Sequence, residues 1–310
     1  MPLPMILIST KSNTLRLHVC CTHAVCDGRT IEGLYRIVAH VFDNSVNLPV
    51  NTALPSFHYQ ELFAGISDDT LNRPFSRWKT NPTGPRILPD DKNVFYSFAA
   101  DYTKYTFHEI QSFCSQMGVG VNSVLMCAYQ RAYRKYYKLS DDVVLIAQVP
   151  SDTRRSSYAS DTLKTRELFC ASAPVRPLVT SQKNLFDEIL ECNKRLKEIL
   201  STEENCVFMR YSADTIDEKN GSLKENEINF SINLPMIGMS NIGQFKYTKN
   251  ARVMLTANYH ILVPPCVYSY NEGNVLNLYF MRSDPMPKEL LQTVFDTFDD
   301  VFGQIGATRI

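Results

Sequence analysis

The 310-residue sequence lacks the short motifs that mark several common enzyme classes. It has no GxGxxG pattern, the usual signature of dinucleotide-dependent dehydrogenases. It also has no GxxxxGKS or GxxxxGKT pattern, the usual signature of P-loop phosphoryl-transfer enzymes. It has no GxSxG, the nucleophile elbow of α/β-hydrolases. No stretch approaches the roughly 18 uninterrupted apolar residues that a transmembrane helix needs. The overall composition, 44% hydrophobic and 21% charged residues, is typical of a globular protein.

The chain also lacks an excess of charge of either sign. Its 32 Lys and Arg residues balance its 32 Asp and Glu residues, and they form no basic block. No overall field therefore favours nucleic acid or an anionic membrane, and we expect neither as a partner. The apolar start, residues 1–8, contains two prolines and no basic leader, so it is a poor signal peptide. We therefore expect a cytoplasmic protein.

The cysteines lack the spacing of a metal site or of a disulfide framework. They are odd in number and dispersed, with no CxxC pair. This pattern favours cysteines that act as small buried hydrophobic residues in a reducing compartment. No cluster of His, Cys and Asp suggests a metal, so we expect none. The nine cysteines are Cys20, Cys21, Cys26, Cys114, Cys127, Cys170, Cys192, Cys206 and Cys266.

Periodicity predicts a mixed α/β or α+β protein without repeats. Apolar residues alternate over 14–21, which predicts a strand. Helical spacing after Gly28 predicts a helix with Thr30 as its cap. The proline-rich residues 44–92 predict loop and linker. Further predictions are an extended segment at 94–106, a helix at 107–117, a longer helix capped by Asn122 or Ser123, a buried strand at 143–149 ending at Pro150, a helix at 186–200, strands at 228–234, 257–263 and 275–281, and a closing helix at 287–302.

One short motif has the residues of a catalytic site: His23 is followed, after three residues, by Asp27 and Gly28. It lies where the first predicted strand ends and the first predicted helix begins. Because the unperturbed pKa of histidine is about 6.5, an imidazole there can accept a proton from an alcohol, an amine or a thiol. Asp27 can hold the loop by pairing with a cation, and Gly28 lets the backbone turn or approach closely. The alternative is a core histidine beside an ordinary Asp-Gly turn.

The run from Leu15 to Thr30 resembles the HxxxDG signature of the chloramphenicol-acetyltransferase-like superfamily. That superfamily includes BAHD acyltransferases, alcohol acetyltransferases and the condensation domains of peptide synthetases. Condensation domains usually carry a second histidine before the motif histidine. This chain has Thr22 there, which favours a free-standing acyltransferase.

Three later segments resemble the same superfamily in the same order. Residues 118–125 are similar to the opening of its second half, and residues 149–154 resemble a strand end that bears an arginine. The resemblance implies that this arginine, Arg154 or alternatively Arg155, pairs with Asp27. Residues 240–243 occupy the position where BAHD enzymes carry DFGWG, which is absent here. By itself this last segment favours a simple turn.

The resemblance implies a fold of two similar α/β halves with a tunnel between them. It implies that His23 is the general base, that Ser240 or Asn241 stabilises the oxyanion, and that Asp27 and Arg154 hold the loop. Acyl-CoA would be a co-substrate, with an alcohol or amine as acceptor and no bound cofactor. We also expect a monomer.

In the superfamily the motif lies well inside the chain, whereas here it starts at residue 23. This position predicts a partial N-terminal half-domain over residues 1–92, with the motif and a linker, and a complete C-terminal half-domain over residues 93–310. Two other functions stay open. One is a non-catalytic remnant or interaction module of the same fold, and the other is condensation-type chemistry on carrier-protein thioesters.

Overall fold

The computed structural model describes residues 5–11, 14–20, 27–34, 36, 65–70, 100–159, 161, 172–203, 205–207, 236–245, 266–281 and 287–310. His23 and the predicted strands at 228–234 and 257–263 lie outside these residues, as does most of the predicted linker. Strands and helices alternate through the described chain, which confirms the mixed α/β class.

Seven of the described strands form one sheet. β4 (Leu145–Asp152) pairs in parallel with β7 (Ile237–Phe245), and β7 pairs in parallel with β8 (Cys266–Glu272), whereas the other pairings are antiparallel. β6 (Leu178–Val179) also pairs with β4, beside β5 (Ser172–Val175). The order across the sheet is β3 (Ala100–Thr106), β9 (Val275–Met281), β8, β7, β4 and β5.

A separate two-stranded sheet lies at the N-terminal end of the described chain. β1 (Met5–Lys11) pairs antiparallel with β2 (Thr14–Cys20). The predicted strand at 14–21 is therefore confirmed, whereas β1 was not predicted, because its apolar residues were interpreted only as a poor signal peptide. A short helix, α1, follows over residues 28–34.

Four longer helices complete the described fold: α2 (Phe107–Met117), α3 (Val121–Tyr137), α4 (Leu185–Ser201) and α5 (Lys288–Gln304). α2 ends at Gly118, whose φ of 66° is the left-handed conformation that glycine adopts readily at a helix end. α3 packs against both α4 and α5. Its buried side chains and those of the sheet form a continuous hydrophobic core.

Two predicted boundaries are wrong. α3 begins at Val121 with Gly120 at its N-cap, so neither Asn122 nor Ser123 caps it. β4 does not end at Pro150 but continues to Asp152, with Pro150 opposite Pro174 of β5. Its pairing with β7 covers only Ala147 and Gln148. A proline without an N–H is tolerated beyond that point because no bond to β7 is required there.

The cysteines of the described chain behave as the sequence predicted. Five of them are free and buried: Cys114, Cys127, Cys192, Cys206 and Cys266. Burial raises the pKa of the Cys114 thiol to about 11 and that of Cys266 to about 12. These thiols are therefore packing groups, since a buried neutral thiol is a poor nucleophile. No helix in this part of the chain has the length and apolarity needed to cross a membrane.

Candidate functional site

Asp27 caps the start of α1. Its carbonyl oxygen accepts the first helical hydrogen bond from Ile31 N, at 3.0 Å. Its carboxylate oxygen Oδ1 accepts from Thr30 N at 2.9 Å and from Thr30 Oγ1 at 3.0 Å. These are the contacts of an N-cap residue, so the prediction that Thr30 caps the helix is wrong. Thr30 instead supplies two donors that orient Asp27.

The other carboxylate oxygen of Asp27 forms an ion pair with Arg154. Arg154 Nη1 lies 3.1 Å from Asp27 Oδ2 and 3.0 Å from Asp152 Oδ1. The exposed fraction is 1% for the Asp27 side chain and 10% for the Arg154 side chain, so water screens this pair little. Burial alone would lower the pKa of the Arg154 guanidinium, but the two carboxylates outweigh burial and raise this pKa. The structure therefore pairs Asp27 with Arg154, whereas Arg155 is exposed.

Arg154 is held in place by the turn that follows β4. This turn is a single 3₁₀ segment, Thr153–Arg155, and Asp152 is its N-cap. The Asp152 carboxylate accepts from Arg154 N at 3.1 Å while it also contacts the Arg154 side chain. Asp152 thus fixes both the backbone and the guanidinium of Arg154.

The end of α4 supports the same turn from the other side. The Glu203 carboxylate accepts from Ser156 Oγ at 2.8 Å, from Ser157 N at 2.9 Å and from Ser157 Oγ at 2.9 Å. Burial raises the pKa of Glu203, but these hydrogen bonds outweigh it and lower the pKa below the ordinary 4.5. Asn205 adds a bond from Nδ2 to Ser151 Oγ, at 3.2 Å. The segment that carries Arg154 is therefore tied to α4.

Gly28 lies in close contact with β7. A Cβ atom at Gly28 would be 3.1 Å from Cγ2 and 3.2 Å from Cγ1 of Ile242. Such distances are tighter than ordinary van der Waals contact, so this position suits glycine because of the close approach. The contact joins Asp27 and Gly28 of the motif to the late segment 240–243, two regions that the sequence analysis could relate only through the resemblance.

Residues 240–243 are not a simple turn but part of a bulged strand. In the pairing of β7 with β8, Asn241 is opposite Ser269 and Gln244 is opposite Asn271, so an extra residue is inserted in β7. Gly243 adopts a φ of 92°, which favours glycine. β-Bulges of this kind redirect side chains and occur frequently beside active sites.

The side chain of Asn241 spans the bulge. Its Oδ1 accepts from Gly243 N at 3.0 Å, and its Nδ2 donates to Asn122 Oδ1 of α3 at 2.8 Å. Successive strand residues point to opposite faces of a sheet. Because Asn241 faces α3, Ser240 lies on the opposite face. Ser240 is half-buried there and pairs with Tyr268 in the sheet.

The structure thus joins Asp27 to Arg154 and Gly28 to Ile242, the neighbour of Asn241 in β7, while Ser240 and Asn241 lie on opposite faces of that strand. His23 lies outside the described residues, and its role as a base stays a prediction. The roles of Ser240 and Asn241 in catalysis also stay predictions. Within the described residues, no group of three or more His, Cys, Asp or Glu side chains could hold a metal ion.

Four supporting residues were not predicted in their observed roles. They are Asp152, Glu203, Ile242 and Asn122, and each contacts a residue far away in the chain or across a turn. Asn122 drew attention only as a possible helix cap. Its observed partner lies 119 residues away, so no local pattern in the sequence indicates the contact.

Several solved structures are similar to this chain. The epimerization domain from the third module of tyrocidine synthetase B is 14% identical, with a TM-score of 0.69 over 98% of this chain and 72% of that chain. The first condensation domain of the CDA synthetase is 12% identical, with a TM-score of 0.59 over 96% of this chain and 66% of that chain. PapA2 acyl transferase is 12% identical, with a TM-score of 0.57 over 97% of this chain and 67% of that chain.

No protein-family model matches the sequence, and no curated protein matches it. Identities of 12–14% show the fold alone. At the level of the fold the predicted resemblance is confirmed: the chain has the fold of this epimerization domain, this condensation domain and this acyl transferase. The division into half-domains at residues 92 and 93 stays a prediction.

Proposed function

We propose that the protein transfers the acyl group of the thioester acyl-CoA to a hydroxyl or amine acceptor, with His23 as the general base. This proposal rests on two contacts of the motif: Asp27 forms an ion pair with Arg154, and Gly28 packs closely against Ile242. They hold the end of the HxxxDG motif beside the β7 segment that contains Ser240. The superfamily fold supports the same chemistry.

Covalent geometry limits where His23 can act. His23 comes four positions before Asp27, so the chain limits the distance between the two Cα atoms to about 14 Å. Asp27 is fixed by α1 and Arg154. A base at His23 would therefore act near the part of the molecule where Gly28 contacts β7, the strand that contains Ser240.

The proposed reaction is direct transfer without an acyl-enzyme. His23 accepts the proton of the acceptor hydroxyl or amine as the acceptor oxygen or nitrogen attacks the thioester carbonyl. The tetrahedral intermediate then collapses, the C–S bond breaks, and the leaving thiolate receives the proton from the imidazolium. Atoms and charges balance without a metal or a redox partner.

Ser240 is the candidate for the oxyanion donor. It is half-buried, and it lies on the face of β7 opposite α3. Its hydroxyl can donate to the negative oxygen of the tetrahedral intermediate, and loss of one such donor typically costs about 3 kcal/mol of transition-state stabilisation. Asp27 and Arg154 do not touch the substrate in this proposal; they orient the loop that carries His23.

The test is an assay of acyl transfer with acetyl-CoA and a panel of alcohols and amines, with products measured by mass spectrometry. We expect His23→Ala to lower kcat by about 10²–10⁴-fold, the usual contribution of a general base. Arg155→Ala, a change at an exposed neighbour of the site, is the control and should leave kcat unchanged. Unchanged turnover in His23→Ala would contradict the mechanism.

A second candidate is acyl transfer from a carrier-protein thioester. The similarity to a condensation domain of a peptide synthetase favours it, whereas Thr22 in place of a second histidine disfavours it. The same acyl group should be offered as a CoA thioester and as a carrier-protein thioester. A kcat/KM at least tenfold higher for the carrier protein would select this candidate. Absence of turnover and of thermal stabilisation with either donor would favour a non-catalytic module.

A further inference from the structure

We propose that Asn122, at the start of α3, is a positioning residue for the HxxxDG motif. It acts through Asn241, which holds the β7 bulge that seats Ile242 against Gly28. The kinetic consequence of this inference rests on the proposed function, but its structural consequence does not. The chain of contacts runs from α3 through β7 to the first residue of α1.

The first link is that the Asn122 side chain serves β7 rather than its own helix. The N-cap of α3 is Gly120, which has no side chain to cap with. The helix start is instead fixed on the α4 side, where Asn193 Oδ1 accepts from Gly120 N at 3.1 Å and from Ser123 Oγ at 3.2 Å. Asn122 is left to accept from Asn241 Nδ2 at 2.8 Å.

The second link is the orientation of the Asn241 amide. Its oxygen must accept from Gly243 N and its nitrogen must donate to Asn122, so the two contacts together define one orientation. Removal of the Asn122 oxygen would leave only the bond to Gly243. The Asn241 amide would then lose its hydrogen bond to α3 and keep the hydrogen bond within the bulge.

The third link is the sensitivity of the Gly28 contact. Ile242 lies in the bulge, between the paired residues Asn241 and Gln244. Its side chain lies within 3.1 Å of the position of a Cβ on Gly28. A shift of the bulge by a few tenths of an ångström therefore changes this packing, because dispersion contacts weaken rapidly with distance. α1 and Asp27 would be looser on the β7 side while Arg154 still held the other side.

The structural test compares Asn122→Ala with Asn193→Ala by hydrogen exchange. Both variants remove hydrogen bonds of a neutral amide at the start of α3, so both should lower the melting temperature to a similar extent. We expect Asn122→Ala alone to accelerate exchange of the residue 28–34 amides, by about tenfold or more. Equal exchange of these amides in the two variants would overturn the proposal.

Asn122→Asp provides a rescue. It keeps an oxygen acceptor for Asn241, and a carboxylate is tolerated in the first turn of a helix. We expect exchange of residues 28–34 to return to within about twofold of the parent protein. Exchange as fast as in Asn122→Ala would count against the proposal. The variant also keeps the test decisive if Asn122→Ala does not fold.

The kinetic test uses the same variants in the acyl-transfer assay. We expect Asn122→Ala to lower kcat by about tenfold with less than a twofold change in KM for the acyl donor, and Asn122→Asp to restore kcat. Asn193→Ala should leave kcat unchanged. An equal loss of kcat in Asn122→Ala and Asn193→Ala would show general destabilisation instead. If the parent protein transfers no acyl group, the proposed function fails, whereas the exchange experiment still decides the role of Asn122.

Discussion

The main sheet with its helices and the motif region, residues 27–34, are stabilised by different kinds of contact. In the main sheet, α3 packs between α4 and α5, and fully buried rings such as Phe280, Phe298 and Phe302 fill the core. The motif region is joined to this sheet and to the turn after β4 by a buried ion pair and by a close backbone approach. Asp27 is bound by Arg154, and Gly28 packs on Ile242.

This difference separates folding stability from the positioning of chemistry. A hydrophobic core distributes its free energy over many side chains, so no single contact defines its shape. The contacts described for the motif region include the buried ion pair of Asp27 with Arg154 and the close approach of Gly28 to Ile242. Loss of either contact should therefore loosen the motif region first, whereas loss of a core side chain should weaken the whole fold.

The largest expected effect on stability is in the core. Phe298 is fully buried and contacts the rings of Phe280 and Phe302, with centroids 6.5 and 5.6 Å away. Phe298→Ala should lower the free energy of unfolding by about 4 kcal/mol, because it removes a buried ring and leaves a cavity. Urea denaturation followed by circular dichroism measures this loss. A loss below about 1 kcal/mol would mean that the core does not carry the fold.

The second largest expected loss of stability is at the ion pair between Asp27 and Arg154. Arg154→Met keeps the apolar stem but leaves the Asp27 carboxylate buried without its cation. Breaking a buried pair costs about 3–5 kcal/mol, and we expect the lower end because Thr30 still donates two hydrogen bonds to Asp27. Hydrogen exchange should accelerate first in residues 28–34. Arg155→Met, at an exposed neighbour, is the matched control, and equal effects of the two variants would refute the assignment of Arg154.

The smallest effect concerns the support of the Arg154 turn by Glu203. The folded-state pKa of Glu203 is below the ordinary 4.5, so its contribution to stability is present above about pH 4.5 and is lost as the pH falls through the folded-state value. Glu203→Gln should lower stability by about 1 kcal/mol near pH 7, once solvent screening is considered. The difference in melting temperature between the two proteins should shrink below pH 4.5. A difference that is constant with pH would contradict this prediction.

Local signals in the sequence predicted several elements to the residue. The helix at 107–117 and the strand at 275–281 have the predicted bounds. The helix ends where Gly118 supplies a left-handed conformation, and the strand is rich in residues with high β propensity. The Arg154–Asp27 pair was also predicted, but only through the resemblance, which left Arg155 as an alternative.

Other elements could not be predicted because their signals are not local. Residues 240–243 have the composition of a turn, yet the pairing of Ser240 and Asn241 with β8 makes them part of a bulged strand. Tertiary pairing overrides local propensity in such cases. Pro150 suggested a strand end, but the strand continues because its pairing partner changes from β7 to β5.

By itself, the sequence determined the α/β class, the bounds of α2 and the residues of the HxxxDG motif, because steric preference and hydrophobic periodicity act over a few neighbouring residues. Only the tertiary structure decided which arginine binds Asp27, a partner 127 residues away. It also decided that Asn241 faces α3 and that Ile242 lies against Gly28. These contacts depend on the register of the sheet and on its bulge, and both are set by partners that are distant in the chain.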